Sequence, residues 1–269
     1  MTGAPLDDRM KKYEDCYRYS IPDNLPVIIR VDGRAFHTYT RGLDEPFDND
    51  LVTLMNEVGL ALCMEISGAR MAYLQSDEVS VLAYSGVFSQ PWFDNNVQKL
   101  ASISASVATK AAAQYLDRAW QAEDERCAKF KSLPVFDARA FVIPAKEVVN
   151  YFVWRQRDWE RNSVQMMARS LYSHKQLHEK NNAEMQELIH AKGQNWNDLP
   201  VHLRRGRCAT GIVRTVEMDN EHFKGPVKRR VWEIDHSPPI FSKDRDYIDK
   251  LLRGVDETEE ILSLGAAGA

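Results

Sequence analysis

The chain has 269 residues, 44% hydrophobic and 28% charged, the balance of a folded globular protein with room for one large core. A formal net charge of -4 and a pI near 6.0 exclude a protein that coats nucleic acid through bulk positive charge. Mean hydropathy is -0.46, no apolar run is long enough to span a bilayer, and the first residues lack a secretory pattern, so a cytoplasmic protein without membrane contact is expected.

Taken in order, Asp8 to Tyr19 reads as a first helix, ended by Pro22 and Pro26. Apolar residues from Val27 to Val31, interrupted by Arg30, read as a short buried strand running into Asp32-Gly33. Arg34 to Phe47 reads as a loop with Gly42 and Pro46, and Asp48 is placed to cap the next helix. There Leu51, Leu54, Met55, Val58, Leu62 and Ile66 recur at helical spacing, and Gly68 stops the run. Met71 to Gln75 and Val79 to Ala83 form a strand pair joined by the acidic turn Ser76-Asp77-Glu78. Trp92 to Trp120 predicts a long second helix with Phe93, Val97, Leu100, Ile103 or Ser104, Val107 and Ala111 along one stripe. Its small residues, Ala101 to Ser106, suit either a close phosphate or a tightly packed core. A charged loop, Ala122 to Lys131, leads to a fourth strand, Val135 to Ile143, closed by Pro144.

Strand, helix, strand, strand, helix, strand is the split βαβ order. The expected fold class is therefore α+β: a ferredoxin-like palm over residues 1–144, an antiparallel sheet with helices on one face. Residues 145–269 read as a C-terminal region packing on the palm. It runs as a helical stretch from Glu147 to about Glu187, broken near Ser173-His174, then a turn-rich segment. A small β unit, Arg207 to Val216 and Val227 to Ile234, ends at Pro238-Pro239, and the Leu264 to Ala269 tail is expected to be mobile.

Neither a P-loop nor a Gly-x-Gly-x-x-Gly fingerprint is present. Cys16, Cys63, Cys127 and Cys208 are scattered, with no zinc-ligand spacing, and read as reduced thiols. Asp32 and Asp77, at the ends of apolar strands, suit a pair of Mg²⁺ ions about 3.5–4 Å apart that act on a triphosphate. Either aspartate alone reads equally as a turn residue; together they favour a metal site. Gly33 leaves room for its own carbonyl or a nucleotide to approach. His37 suits a proton shuttle or phosphate contact, and Lys99, Arg30 and Arg139 suit phosphate oxygens. Three basic groups, at Arg155, Arg157 and Arg161, at Arg204, Arg205 and Arg207, and at Lys228 to Arg230, read singly as solvated faces and together allow a polyanion partner.

The motifs Arg30-Val31-Asp32-Gly33-Arg34-Ala35-Phe36-His37, Gln75-Ser76-Asp77-Glu78 and Phe136-Asp137-Ala138-Arg139 occur in this order. Lys99, Tyr151 to Gln156, and Asn197 to Gly206 follow the same pattern. As a set they resemble the tRNA-His guanylyltransferase superfamily, the reverse (3′-to-5′) nucleotide polymerases. The resemblance implies catalytic roles for Asp32, Asp77, Glu78 and His37, and metal binding by Asp32, the Gly33 carbonyl and Asp77. It implies nucleotide contacts from Arg30, Gly33, Arg34, Ala35, Phe36, His37, Ser76, Lys99, Ser102 and Arg139. RNA contacts fall to Arg155, Arg161, Asn162, Ser163, Arg204 and Arg205. It further implies two Mg²⁺ ions, GTP and ATP as substrates, tRNA as partner, and a homotetramer. Where eukaryotic members carry His-Ile-Asn-Asn-Leu-Tyr-Asn, this chain has Glu160-Arg161-Asn162-Ser163-Val164-Gln165-Met166. That departure is similar to the bacterial and archaeal guanylyltransferase-like proteins, and implies template-directed repair of 5′-truncated tRNA. A tRNA-His guanylyltransferase proper, a cyclase or polymerase of another palm lineage, and a non-catalytic RNA-binding module are the alternatives.

Overall fold

The computed structural model describes residues 5–86, 90–123, 129–220 and 223–253. Cys127, with the rest of residues 124–128 of the expected 122–131 loop, and the Leu264 to Ala269 tail lie outside the described residues. The palm strands are β1 (Val27–Gly33), β2 (Ala69–Gln75), β3 (Glu78–Ala83) and β4 (Phe136–Val142). They pair in the order β4-β1-β3-β2, every neighbour antiparallel, which is the split βαβ sheet the element order predicts.

Two further strands, β5 (Arg207–Asn220) and β6 (Phe223–Asp235), do not form a separate unit. β5 pairs with β2 from Leu74↔Arg207 to Met71↔Thr210, so one sheet of six strands runs across residue 144. Beyond Thr210 the two strands pair only with each other and leave the sheet as a long ribbon carrying the exposed Lys228, Arg229 and Arg230.

Period-2 alternation sends successive side chains of each strand to opposite faces. Val27, Ile29 and Val31 of β1, with Val79 and Val81 of β3, meet helix α3 (Asn49–Glu65) and helix α4 (Val97–Gln121) in the main core. The Asp48 carboxylate caps α3 by accepting from the amides of Asp50 and Leu51, both at 2.9 Å. Gly68, at φ +78°, turns the chain into β2. On the other face Ile28, Leu82, Met71 and Tyr73 bury Val148, Val149 and Phe152 of α5 (Val148–Leu171), together with Phe241 and Ile248. The break near Ser173 is real: a single turn (His174–Leu177) and a helix (Asn182–Ala191) follow α5. The first helix, α1 (Leu6–Asp15), stops four residues before Tyr19 and buries none of its side chains. Within Arg34 to Phe47 a short helix, α2 (Phe36–Tyr39), replaces part of the expected loop. No described helix is long and apolar enough to cross a membrane.

Candidate active site

The register of β1 builds the site. Asp32 lies opposite Glu78 on β3 and opposite Asp137 on β4, so three carboxylate-bearing positions form one cross-strand row. One row below, Arg30 lies between Ser80 and Arg139. The β2–β3 turn holds Ser76 at φ +45° and Asp77, and the Gly33 amide donates to the Asp77 carbonyl at 3.1 Å. This bond brings the strand end carrying Asp32 and the turn carrying Asp77 together. A second left-handed residue without a glycine's freedom, Ala35 at φ +54°, starts α2 two residues past Gly33. Non-glycine residues in that region store strain of order 1–3 kcal/mol and collect at functional sites.

The electrostatics differ sharply between the turn and the row. Burial, then the nearby Asp32 charge, push the Asp77 carboxyl up to about 6, against a hydrogen bond from Ser76 that favours the charged form. Glu78 is also raised by burial but has company. Arg155 of α5 grips it with Nε to Oε1 at 2.9 Å and Nη2 to Oε2 at 2.7 Å. Gln75, Ser80 and Arg30 add contacts at 3.2, 3.3 and 3.8 Å, and the Tyr151 hydroxyl meets Ser80 at 2.9 Å.

Hard oxygen donors are what Mg²⁺ takes, and it takes few of them from protein. Two adjacent carboxylates, one already resisting ionisation, plus a strand-end carbonyl fit that demand. Among the described residues no group of three His, Cys, Asp or Glu side chains gathers, so the oxygens available here for a cation are those of Asp32 and Asp77 and the backbone beside them. Beside the turn opens a cavity of about 390 Å³ lined by His37, Ser76, Phe47, Leu51, Trp159 and Arg207 among others. On the other side of α2, Arg34, Arg41 and Lys131 line a more open groove.

Several expected contacts lie elsewhere. Gly33 leaves no space for a ligand on its side-chain side: an added Cβ would sit 2.2 Å from the Phe36 ring. Phe36 is core, packed on Phe136 and Tyr39 at ring separations of 5.4 and 4.9 Å, so only its backbone faces the site. Lys99 and Ser102 are exposed at the start of α4, whose Leu100 packs near Val27 and Ala83 at the far end of the sheet. The same helix reaches the Gly33 level only at Thr109, whose hydroxyl accepts from the Phe136 amide. Ten residues of helix separate Lys99 from Thr109, roughly 15 Å, and seven separate Ser102 from it, roughly 10 Å. Lys99 and Ser102 are therefore apart from Asp32 within one chain.

Arg155 is buried on Glu78, and Ser163 is buried with its hydroxyl donating to the Leu203 carbonyl at 2.7 Å and accepting from the Trp196 indole at 2.9 Å. Neither is exposed to touch RNA. Arg161 is exposed and paired with Asp158, Asn162 is half-buried, and Arg204 bonds the Leu199 carbonyl at 2.8 Å while lying over Trp196. Arg205 is half-buried, and its carbonyl accepts from Tyr73. The structure adds residues that the sequence reading passed over. Asp137 was available through its motif and its two-residue offset from Arg139. Trp159 and the burial of Arg207 had no local signal.

A ferredoxin-like sheet with aspartates meeting at neighbouring strand ends beside a cavity is the arrangement of the palm-type nucleotidyltransferases. The family model for Thg1, the tRNAHis guanylyltransferase, matches residues 7–144, and the chain belongs to that family of nucleotidyltransferases. A bacterial tRNA(His) guanylyltransferase (Thg1)-like protein in complex with ATP superposes with a TM-score of 0.79 at 41% identity, over 92% of this chain and 99% of that one. A bacterial Thg1-like protein in complex with GTP gives 0.74 at 39%, over 92% and 98%. A probable tRNA(His) guanylyltransferase of Dictyostelium discoideum is 31% identical over 160 residues, 57% of this chain. The chain spans 59% of that relative's length.

Proposed function

We propose that this protein adds nucleotides in the 3′-to-5′ direction to the 5′ end of tRNA, directed by the opposite strand, and so repairs 5′-truncated tRNA. The observation that carries the reading is the pair Asp32 and Asp77, brought together by the Gly33–Asp77 backbone bond beside a cavity that the neighbouring Ser76 lines. Likeness along nearly the whole chain to bacterial proteins bound to ATP and to GTP supports both as substrates. The Glu160 to Met166 stretch, which departs from the eukaryotic run, favours repair over a fixed guanosine product. The names of the relatives favour the second reading, addition of a single guanosine to tRNA-His.

In this reading Asp32, Asp77 and the Gly33 carbonyl would hold Mg²⁺, which would supply charge neutralisation at the phosphates and a lowered pKa at the attacking hydroxyl. ATP activates a 5′-monophosphate end, or a 5′-triphosphate end serves directly. The 3′-hydroxyl of the incoming nucleotide attacks the 5′ phosphorus, and AMP or pyrophosphate leaves. Arg30 and Arg139 lie opposite each other on neighbouring strands, beside Glu78 at 3.8 Å and Asp137 at 3.3 Å respectively, and together they offer two guanidinium groups to phosphate oxygens. His37, exposed at the cavity mouth, takes up or passes on a proton, and the base enters the cavity that Phe47 and Leu51 help to line. Residues 145–269 pack on the palm of residues 1–144 and bring Arg161, Arg204 and Arg205 to RNA. The uncovered α1, with Leu6, Met10 and Tyr13 exposed, supports a homotetramer, which we place in the cytoplasm.

The test uses one tRNA lacking its first 5′ nucleotide, each nucleoside triphosphate singly, Mg²⁺, and all four bases facing the gap. Addition of the complement each time is the expected result. Guanosine added regardless of the facing base, and only to tRNA-His, hands the function to the second reading.

A further inference from the structure

Tryptophan is highly buried on average, yet Trp154 of α5 is 53% exposed. It is held all the same. The Arg155 guanidinium carbon lies 4.6 Å from its ring centroid, and the Tyr151 ring meets it edge-on at 5.8 Å. Both neighbours are themselves anchored, Arg155 by its two bonds to Glu78 and Tyr151 by the Ser80 hydroxyl and the Phe141 ring. The indole is thus fixed in place with half of its surface open to solvent, and a partner that docks on it loses little to ordering the protein.

The same contacts place it beside the site. Glu78 stands opposite Asp32, so one guanidinium separates the indole from the carboxylate row. Phe141, which packs on Tyr151, is two residues from Arg139 and shares its face of β4. Along α5, Arg157 and Arg161 follow Trp154 at i+3 and i+7 and are exposed, so a flat aromatic and two cations share one side of the helix. Asp158, the carboxylate between them, is paired with Arg155 and Arg161. An aromatic surface for a base with charge beside it for phosphates is the chemistry that receives an unpaired nucleic-acid end. The cavity beside Ser76 serves the incoming base in the function proposed above, which leaves the first base of the RNA to be held. Resting on that reading, we propose that Trp154 positions the RNA, stacking on the first base of its 5′ end and so keeping the 5′ phosphorus beside Asp32 and Asp77. Every base has a π face, so this platform accepts whichever base a truncation leaves first, and sequence is read only by pairing with the opposite strand.

The experiment uses 5′-truncated tRNA in two forms, one with an ordinary first nucleotide and one with an abasic sugar in its place. Filter binding gives the affinity of each for the full chain, Trp154→Ala and Trp154→Phe, and the addition assay gives KM for RNA and for the nucleoside triphosphate. Wild type is expected to bind the ordinary end roughly tenfold more tightly than the abasic one, the scale of one stacked base. Trp154→Ala is expected to bind both alike, with KM for RNA raised by the same factor and KM for the triphosphate at the wild-type value. Trp154→Phe keeps a π face and is expected to recover most of the preference. Wild type that does not distinguish the two ends overturns the proposal by itself, whether or not the variants fold. A preference that survives in folded Trp154→Ala overturns it too. So does a fall in kcat with RNA affinity intact, which makes the indole a support for Arg155 on Glu78, and so does a rise confined to the triphosphate KM, which gives Trp154 to the incoming base. Wild type that binds tRNA with the expected base dependence but adds no nucleotide overturns the reading of the site and leaves the role of Trp154 standing.

Discussion

Asp77 and Glu78 are consecutive residues, yet the fold treats their carboxylates in opposite ways. Glu78 turns toward α5, where Arg155 holds both of its oxygens and Gln75 and Ser80 complete the shell. Asp77, in the turn above it, has among the described residues only the Ser76 hydroxyl and backbone, and faces the charge of Asp32. One carboxylate is spent joining α5 to the sheet. The other is left unpaired, at a cost to stability that a cation would relieve in the function proposed above. A residue-by-residue division of this kind, one side chain for shape and its neighbour for chemistry, is what separates an anchor from a site.

Breaking the anchor gives the largest effect. Arg155→Ala leaves Glu78 buried without its cation and is expected to lower unfolding free energy by about 3–5 kcal/mol. Urea denaturation checks it, and Arg155→Lys, which keeps the charge but not the two-pronged grip, recovers part of the loss. Removing the reserved charge acts in the opposite direction. The folded-state carboxyl of Asp77 is raised to about 6, so the folded protein binds its proton more tightly than the unfolded chain, and stability falls as pH rises from about 4 to 6. Asp77→Asn removes that penalty. The metal-free variant is expected to be more stable than wild type at pH 7.5 by on the order of 1–2 kcal/mol after allowance for solvent screening, with the gain gone by about pH 4. Thermal melts at the two pH values read this, and nucleotide addition by the same variant is expected to be abolished. A variant that still turns over removes Asp77 from the reaction.

The palm was legible because its strands are short, apolar and bounded by Pro, Gly and acidic turns, and because α3 repeats at helical spacing from Leu51 to Ile66. Asp32 and Asp77 could be paired from sequence for the same reason: the order of elements puts both at one end of the sheet. What was not legible needed contacts across long stretches of chain. Arg155 is 77 residues from Glu78, and no local pattern distinguishes an arginine bound for the interior from one bound for RNA. Arg204, Arg205 and Arg207 looked alike as a basic group, but strand alternation and the β2 register bury only the last. The β5–β6 pair looked like a separate unit because nothing within it announces its bond to β2.

Two smaller changes sharpen the same division. Ser163→Ala removes a donor to the Leu203 carbonyl and the acceptor of the Trp196 indole, so about 1 kcal/mol of stability should go. Filter binding of tRNA should be unaltered once the protein is folded, since the hydroxyl never reaches the surface. Lys99→Ala is the smallest. Its ammonium lies over the Phe93 ring at 5.6 Å, exposed, at the end of the sheet away from Asp77. An exposed contact of this kind is worth about 0.5–1 kcal/mol at most. Nucleotide affinity measured on the isolated subunit should stay at the wild-type value. A marked loss of affinity there would mean that the phosphate site extends along α4, and that the reserve of unpaired charge is not confined to the strand ends holding Asp32 and Asp77.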